Sequence, residues 1–346
     1  MSSGNQPVVV QPSREPAAVL GEMLGGAFVS QAIFVAAKLG IADLVAAGPR
    51  PVAELAAETG SHERSLYRVL RTLASVGLFR QTDPKVFAQT ALSELLRSDA
   101  PRSMRDDALF MGADWHVNVI ADMPYSVRTG KPAWGHTHGA EVFEYFAANP
   151  EQGALFNDLM TTMTVRYAPA IVEAYDFSHF ETLVDVAGGQ GYLLARALEA
   201  APGLAGVLFD MPQVLEGATA LLEREGVADR VRKVPGDFFA SVPAGADAYM
   251  LKHIVHDWDD ERCVTLLGNI RTAMSDDGKV LIVESVVPET EEPHYSKMLD
   301  LEMLVSPGGI ERTEGEYRDL LAAAGLRLSR VVPTKTPLSI IEAVKA

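Results

Sequence analysis

The residues best suited to chemistry follow short apolar segments in the C-terminal half of the chain. The first segment runs into the sequence DVAGGQG at residues 185–191, and a helical pattern follows at once. Glycines at a turn from strand to helix let a ligand approach the backbone, and the helix N-terminus adds a partial positive charge. A dinucleotide fingerprint would need a third glycine where Leu194 stands. A pyrophosphate site is therefore disfavoured, and a turn that only permits close packing remains the alternative.

Two further apolar segments each end in an aspartate. Asp210 lies nineteen residues beyond Gly191, where a carboxylate can accept both hydrogen bonds from a ribose diol. An aspartate that only caps the next helix is the alternative. Asp237 offers a carboxylate to an exocyclic amine, and Phe238 beside it offers an aromatic face to a purine. Ligands of open sheets bind at the carboxyl ends of strands, so the three turns together are more informative than any one of them.

A histidine in the next strand-end loop is the candidate for acid–base chemistry. The fourth segment continues into LKHIVHDWDD at residues 251–260. Two histidines beside acids could bind a metal, but the acids more simply begin a helix, where the helix dipole favours them. We therefore expect no metal. His256 can face bound substrate from such a loop, although a structural histidine remains possible on residue type alone.

The elements that must position these residues alternate between strand and helix after Phe180. Strands that alternate with helices form a parallel sheet with helices on both faces. The last two strand candidates lie close together, as expected for an antiparallel pair. The sequence therefore predicts an α/β fold with an open sheet of seven strands. The strand candidates are residues 182–186, 207–209, 231–234, 248–251, 280–284, 326–332 and 338–344.

The N-terminal half is predicted to be mostly helical. Residues 17–47 carry apolar side chains at helical spacing, and a helix this apolar must be covered, by the rest of the chain or, as we favour, by a second subunit. Two helices at residues 51–56 and 62–75 and two short strands at residues 77–79 and 85–87 follow. This order of elements is typical of a winged helix, a common DNA-binding module.

Charge argues against nucleic acid as a partner. The 346 residues carry a net charge of -16, and such a chain repels a phosphate backbone. Residues 1–175 hold 14 basic against 18 acidic side chains, and residues 176–346 hold 16 against 28, so the acidity belongs mostly to the C-terminal half. The winged-helix window, residues 51–97, holds 6 basic and 5 acidic side chains. A groove-reading module would carry a clear basic face, so a scaffold role is favoured.

Composition and targeting signals predict a cytoplasmic, two-domain protein. A single cysteine, Cys263, permits no internal disulfide, which suits a reducing compartment. Residues 1–16 lack the basic and apolar blocks of a signal peptide and are predicted to be a disordered lead-in. The longest uncharged stretch, residues 23–37, is 15 residues long and too short to span a bilayer comfortably, so we expect no membrane partner.

Five motifs stand out along the chain. They are DVAGGQG at residues 185–191, FDMP at 209–212, GDFF at 236–239, LKHIVHDWDD at 251–260 and GGIERTE at 308–314. Together they resemble the S-adenosylmethionine-dependent O-methyltransferases of the caffeate and bacterial natural-product type. The resemblance covers nearly the whole chain, and the histidine–aspartate–tryptophan sequence followed by acids is its most diagnostic element. Among bacterial enzymes, the chain resembles those that methylate hydroxyls of mitomycin, phenazine and anthracycline-like aromatics.

The resemblance implies a methyl donor and the residues that bind it. S-adenosylmethionine would be the donor and S-adenosylhomocysteine the product. Gly188 would lie at the glycine turn, Asp210 on the ribose hydroxyls, and Lys252 near the methionine carboxylate. Asp237 and Phe238 would surround the adenine.

The resemblance also implies a catalytic group. His256 falls on the family's general base, and Asp257, Glu284 and Glu311 fall on acidic positions around it, of which the two glutamates usually orient the base. The family commonly has three consecutive glycines at the donor turn, whereas this chain begins the triplet with Ala187. Ala187 therefore adds a methyl group at the donor turn, where the family commonly has none.

A small aromatic acceptor is expected to lie between the helical half and the sheet. Ring faces and thioethers adapt to flat ligands, and side chains of these types are candidate walls of its pocket, although at helical spacing they more often belong to the core. The candidates are Trp115, Phe143, Phe146, Phe156, Met160, Met163 and Met303, of which the resemblance favours Phe156, Met160 and Met303. The implied architecture is a C-terminal Rossmann-like methyltransferase domain and an N-terminal winged-helix domain that forms a homodimer. The expected divisions are a lead-in at 1–16, a dimerisation domain at 17–100, an acceptor-pocket region at 101–178 and a catalytic domain at 179–346.

Two other functions remain open from the sequence. Some relatives bind S-adenosylmethionine yet decarboxylate or hydroxylate, but these tend to lack the histidine that this chain has at His256. A transcription regulator with a metabolite-sensing C-terminal half is the second, and the charge distribution opposes it.

Overall fold

The computed structural model describes residues 15–346 and divides into two compact units between Ala113 and Asp114. The predicted disordered lead-in at residues 1–16 lies outside the described residues except for its last two. Those two residues begin the first helix, since the Glu15 side chain accepts a hydrogen bond from the Ala18 N–H at 2.9 Å.

The N-terminal unit is mostly helical, as predicted. Its three short strands form an antiparallel sheet in the order β1-β3-β2, and the sequence of α3, α4 and the β2–β3 ribbon is the predicted winged-helix arrangement. The helices are α1 (Pro16–Lys38), α2 (Ile41–Leu44), α3 (Val52–Thr59), α4 (Glu63–Ser75), α5 (Ala91–Glu94) and α6 (Arg105–Met111). The strands are β1 (Arg50–Pro51), β2 (Arg80–Asp83) and β3 (Val86–Ala88).

Two predictions for this unit were wrong in detail. The helix expected over residues 17–47 ends at Lys38, because Gly40 adopts a left-handed φ of 64° and a new short helix begins after it. The strand expected at residues 77–79 begins only at Arg80. Gly77 is left-handed, with a φ of 82°, and the Leu78 N–H donates to the Leu73 carbonyl at 2.9 Å, so these residues close helix α4 instead.

Helix α1 presents an apolar face to solvent. Ala32, Ala36 and Ala37 are buried near its C-terminal end. Toward the N-terminal end, large apolar side chains are 57% to 80% exposed: Leu20, Met23, Leu24 and Phe28. By length and composition alone, this 23-residue helix could cross a membrane. The 15-residue uncharged stretch in the sequence did not indicate this.

The C-terminal unit contains the seven-stranded sheet that the sequence predicts. The strands are β4 (Thr182–Val186), β5 (Ala205–Asp210), β6 (Val231–Pro235), β7 (Ala248–Lys252), β8 (Lys279–Ser285), β9 (Leu326–Pro333) and β10 (Leu338–Lys345). Their order is β6-β5-β4-β7-β8-β10-β9. Strands β4 to β8 are parallel, and β10 is antiparallel to both β8 and β9, as expected for the last pair.

Helices precede the sheet and cover both of its faces. Leu194 and Met250 belong to the core on one face, and Tyr249 and Leu266 to the core on the other. The helices are α7 (Asp114–Ala121), α8 (Met123–Thr129), α9 (Ala133–His138), α10 (Val142–Ala148), α11 (Pro150–Ala174), α12 (Tyr192–Ala200), α13 (Pro212–Arg224), α14 (Asp260–Ala273), α15 (Tyr295–Val305) and α16 (Glu314–Ala323). Two 3-10 turns lie at Ala228–Arg230 and Val255–Asp257.

The strand order sets where a ligand can bind. The chain builds outward from β4 toward β6 on one side, then crosses to β7 on the other. Such a reversal opens a crevice at the carboxyl ends of the central strands. The glycine turn after β4, Asp210 at the end of β5 and the loop after β7 all lie at this edge.

Candidate active site

The glycine turn after β4 approaches neighbouring side chains closely. A Cβ atom on Gly188 would lie 2.4 Å from Cγ of Asp185 and 2.7 Å from Cδ1 of Leu208, so only glycine fits there. The turn ends at Gly191, which caps the N-terminus of α12. The glycine is therefore required by packing against Asp185 and Leu208.

Asp210 joins the glycine turn to the end of β5. Its Oδ2 accepts the Gly189 N–H at 2.8 Å, and its Oδ1 accepts the Met211 N–H at 2.7 Å. Burial raises the pKa of this carboxyl group, and both hydrogen bonds oppose the increase. Met211 caps α13, so Asp210 supports the start of that helix and the glycine turn at once.

We expect Gly188→Ala to weaken binding of S-adenosylmethionine by at least tenfold, which is about 1.4 kcal/mol. The added methyl group would push the turn away from Asp185 and Leu208. Isothermal titration calorimetry measures the change. Gly203→Ala is the matched control, because a Cβ there meets no atom within 4 Å. Equal affinities of Gly188→Ala and the wild type would contradict the expectation.

Ala187 occupies a backbone conformation that favours glycine. Its φ is 54°, in the left-handed region, which costs a residue with a side chain about 1–2 kcal/mol. The departure from three glycines therefore strains the turn rather than blocking it.

Ala187→Gly should raise the free energy of unfolding by about 0.5–1 kcal/mol. The relief of strain exceeds the greater entropy that glycine gives the unfolded chain. Chemical denaturation measures this difference. Ala220→Gly, on the exposed middle of α13, is the control of opposite sign, with an expected loss of about 1 kcal/mol. A loss of stability in Ala187→Gly would contradict the strain argument.

Buried Asp185 and half-buried Lys252 lie close enough at the same edge for their charges to interact. Burial lowers the pKa of Lys252 to about 8, and nearby Asp185 opposes that change. Burial likewise raises the pKa of Asp185 to about 7 against the attraction of Lys252. Oδ2 of Asp185 has no hydrogen-bond partner within residues 15–346. A polar or cationic ligand group would satisfy this oxygen.

Phe238 and its neighbours form an aromatic wall beside β6. The Phe238 ring centroid lies 6.1 Å from that of Trp258, and Phe239 lies 4.9 Å from Trp258. The Asn269 amide donates to the carbonyls of Phe238 and Phe239, both at 2.9 Å, and fixes this loop. Asp237 is exposed, and its Oδ1 accepts the Phe239 N–H at 2.8 Å.

His256 is buried among carboxylates. Its Nδ1 lies 2.5 Å from Oε1 of Glu311, and its Nε2 lies 3.5 Å from Oδ1 of Asp257. Burial disfavours the imidazolium, but nearby Asp257, the Glu311 hydrogen bond and Glu284 outweigh it and raise the pKa of His256 to about 9. The site therefore stabilises a proton on this ring.

Glu284 contacts the backbone of the histidine loop and not the ring. Its Oε1 accepts the N–H groups of Ile254, Val255 and His256 at 2.9, 2.7 and 3.2 Å. The hydroxyl of Tyr317 donates to Oε2 at 2.6 Å. Of the two glutamates expected to orient His256, Glu311 thus touches the imidazole and Glu284 holds the loop that carries it.

Three residues that hold this loop were not predicted as site residues. A Cβ on Gly309 would lie 1.8 Å from the His256 carbonyl oxygen, which accepts the Ile310 N–H at 2.9 Å. Buried Arg312 donates to the carbonyls of Val255 and Trp258 at 3.1 and 3.0 Å and pairs with Asp260. Tyr317 is the third. Gly309 and Arg312 lie in the GGIERTE motif, where their places beside Glu311 were the signal available in the sequence.

The candidate acceptor residues come from three helices. The Phe156 ring on α11 stacks on the Phe146 ring with centroids 4.8 Å apart. The ring of Trp115 on α7 lies 5.9 Å from that of Phe146. Met160 lies one turn after Phe156 on α11 and is partly buried. Met303 is buried on α15, a helix that packs against α7. Phe146 therefore links Phe156 to Trp115, and α15 brings Met303 to the same group of helices.

Two family models match the chain. An O-methyltransferase dimerisation domain matches residues 22–99, and an O-methyltransferase domain matches residues 121–327. A phenazine O-methyltransferase of Lysobacter antibioticus is 47% identical over 325 residues, 94% of this chain and 95% of that protein. These matches confirm the resemblance that the five motifs indicate.

Solved structures agree with the fold. A mitomycin 7-O-methyltransferase is 40% identical with a TM-score of 0.88, over 95% of this chain and 98% of its own. An O-methyltransferase from neocarzinostatin biosynthesis, in complex with S-adenosylmethionine and 2-hydroxy-5-methyl naphthoic acid, is 33% identical with a TM-score of 0.80, over 92% of this chain and 96% of its own.

Proposed function

This chain belongs to the S-adenosylmethionine-dependent O-methyltransferase family, and we propose that it methylates a hydroxyl group of an aromatic secondary metabolite with His256 as the general base. The observation that carries the proposal is the buried His256, which has Glu311 on one ring nitrogen. A histidine held in this way keeps the other ring nitrogen available to accept a proton.

The residues at the sheet edge fit the methyl donor. The unpartnered Oδ2 of Asp185 offers a polar contact that no described residue uses, and Gly188 and Gly189 leave the turn beside it without side chains. Asp210 would hold the ribose, Asp237 and Phe238 would flank the adenine, and Lys252 would lie at the methionine carboxylate. When bound, S-adenosylmethionine supplies a methyl group activated by a sulfonium. Carboxylates at this edge also suit a cationic ligand.

His256 performs the proton transfer in this proposal. A phenol has an unperturbed pKa near 10, so it is a poor nucleophile at neutral pH until a base removes its proton. The raised pKa of His256, about 9, brings the base close to the pKa of the phenol and favours the transfer. Nε2 accepts the proton, Glu311 keeps the hydrogen on Nδ1, and the surrounding carboxylates stabilise the imidazolium.

The acceptor is proposed to be a flat aromatic compound, phenolic, quinone or polyketide-like. Phe156, Met160 and Trp115, in the region of residues 101–178, would form the walls that hold it together with Met303 on α15. The named substrates of the relatives, a phenazine and a naphthoic acid, are flat aromatics of this kind. Holding the acceptor oxygen in line with the methyl group can lower the barrier by about 7–11 kcal/mol. We place this reaction in the cytoplasm.

The protein should be a homodimer through α1. The exposed apolar face of this helix lies partly within the dimerisation-domain match, and an apolar patch of this kind marks an interface. Light scattering after size exclusion should give twice the 37.3 kDa chain mass. Leu24→Glu with Phe28→Glu should release monomers, and Leu92→Glu, another exposed apolar residue, is the control. A monomeric wild type would contradict this prediction.

A panel of hydroxylated aromatics with labelled S-adenosylmethionine tests the reaction. We expect one equivalent of S-adenosylhomocysteine for each O-methylated product, measured by mass spectrometry. Loss of a carboxyl group or gain of a hydroxyl without S-adenosylhomocysteine would support the decarboxylating or hydroxylating alternative instead. A salt-dependent mobility shift with duplex DNA would support the regulator.

A further inference from the structure

His253 lies against the face of the proposed base and has no assigned task. Its ring centroid is 5.0 Å from that of His256, and the two planes differ by 14°. The side chain is buried, and the backbone φ of His253 is 55°, in the left-handed region. A residue with a side chain reaches this conformation at a cost, so the surroundings hold the ring there against strain.

Lys252 determines the form of the His253 ring. Its Nζ lies 3.3 Å from Nδ1 of His253. An ammonium group can only donate, so Nδ1 accepts and the hydrogen is on Nε2. Burial, the charge of Lys252 and His256 together lower the pKa of His253 well below its usual value. His253 is therefore neutral at neutral pH.

The second nitrogen of His253 makes no hydrogen bond. Nε2 is buried and has no partner within the described residues 15–346. A buried donor without a partner destabilises a fold by about 1–3 kcal/mol. Nε2 therefore does not stabilise the fold, and the contacts of this side chain are the ring face against His256 and the Nδ1 contact with Lys252.

His256 needs more than one contact to fix its ring. The Glu311 hydrogen bond holds Nδ1, but a ring held at one nitrogen can still tilt about that bond because the terminal torsion of histidine is broad. Asp257 is 3.5 Å from Nε2 and is a weak restraint. The flat face of His253 blocks the tilt toward its own side.

We propose that His253 is a positioning residue whose ring restrains the His256 imidazole, so that Nε2 keeps the direction needed to accept the proton of the acceptor. The inference rests on the proposed function. Lys252 faces the His253 ring, and Asp257, Glu284 and Glu311 face His256. A change at His253 leaves the three carboxylates in place and alters the contact with Lys252. The ring face, and not the ring nitrogens, carries the effect.

Two variants separate the ring from the rest of the side chain. His253→Asn keeps a polar group and a residue that tolerates a left-handed backbone but removes the ring. His253→Phe keeps a ring face and removes both nitrogens. We expect His253→Asn to lower kcat at least tenfold, since small misplacements of reacting groups can reduce rates about 100-fold. His253→Phe should keep kcat within about threefold of the wild type. Because phenylalanine also removes the acceptor of the Lys252 hydrogen bond, the donor Kd of both variants is measured by calorimetry, which separates a displaced Lys252 from a displaced base.

The acidity of the acceptor tells positioning of the base from a structural role. Among the accepted phenols, the kcat loss in His253→Asn should be smallest for the phenol of lowest pKa, because an ionised phenol needs no base. Wild-type kcat in His253→Asn, or a loss in that variant that is equal for all phenols, overturns the inference. So does a His253→Phe variant that is folded but as slow as His253→Asn. If the wild type methylates nothing in the panel, the proposed function fails first, and retained donor binding shows that the protein is intact.

Discussion

His256→Ala should lower kcat about 100- to 10,000-fold, the range that a general base contributes. The alanine cannot accept the acceptor's proton, and the buried site keeps water from replacing the imidazole efficiently. Donor binding should change little, because the proposed donor contacts, Gly188, Asp210 and Lys252, do not include His256. Steady-state kinetics with a phenolic acceptor measures the first effect, and titration calorimetry with S-adenosylmethionine measures the second.

An exposed histidine provides the control for this variant. His179→Ala removes an imidazole from the same unit at a site that is half exposed. Its kcat should match that of the wild type. Near wild-type turnover in His256→Ala would show that another group accepts the proton, and a parallel loss of donor binding would show that the loop after β7 had collapsed.

Glu311→Gln should lower kcat about 100-fold or more. The carboxylate lies 2.5 Å from Nδ1 of His256, where it keeps the hydrogen on Nδ1 and stabilises the imidazolium. A glutamine amide carries no charge, and its NH2 group can donate to Nδ1, which selects the form of histidine whose Nε2 cannot accept a proton. Loss of the orienting carboxylate in a comparable triad costs about 10,000-fold.

The pH dependence of this variant has a defined direction. Only a neutral His256 accepts a proton, so kcat/KM of the wild type should rise with pH up to about 9, the pKa of His256. Burial lowers that pKa while Asp257 and Glu311 raise it, so removal of the Glu311 charge should move the rise to lower pH. Glu314→Gln, exposed on α16, should leave the profile unchanged. An unshifted profile in Glu311→Gln would contradict the orienting role.

The raised pKa of His256 also predicts how the free energy of unfolding depends on pH. The pKa of His256 in the folded protein lies above the value of about 6.5 for an unfolded chain. The stabilisation is therefore complete below about pH 6.5 and is lost as the pH rises through about 9. Glu311→Gln should consequently lower the free energy of unfolding more at pH 6 than at pH 9.

Much of the sheet edge follows from local sequence patterns. Alternating strands and helices predict all seven strands of the C-terminal sheet, because each buried strand is a short apolar run with turn residues at its end. The glycine turn, Asp210 and the histidine loop each come at the end of one such run, so they could be found without knowing the fold.

Contacts between distant segments could not be found in this way. Glu311 meets His256 across 55 residues, and Tyr317 meets Glu284 across 33. Nothing in a local pattern tells which of two glutamates touches the ring and which holds the backbone. Those roles depend on where the loop before α16 packs.

Backbone conformation also limits what a pattern can show. Apolar spacing continues through residue 47, but the left-handed Gly40 ends α1 before it. Likewise the left-handed φ of Ala187 and of His253 is invisible in residue type. The strain at both positions is visible only in the structure.

The ratio of wild-type to His256→Ala turnover, measured across a range of pH, tests the central claim most directly. The claim is that His256 removes the proton of an acceptor hydroxyl as methyl transfer occurs. The ratio should stay level while both rates rise with pH, and it should shrink above about pH 9, where His256 is already neutral but ionisation of the phenol continues toward its pKa of about 10. A ratio that does not shrink above about pH 9 would contradict the claim.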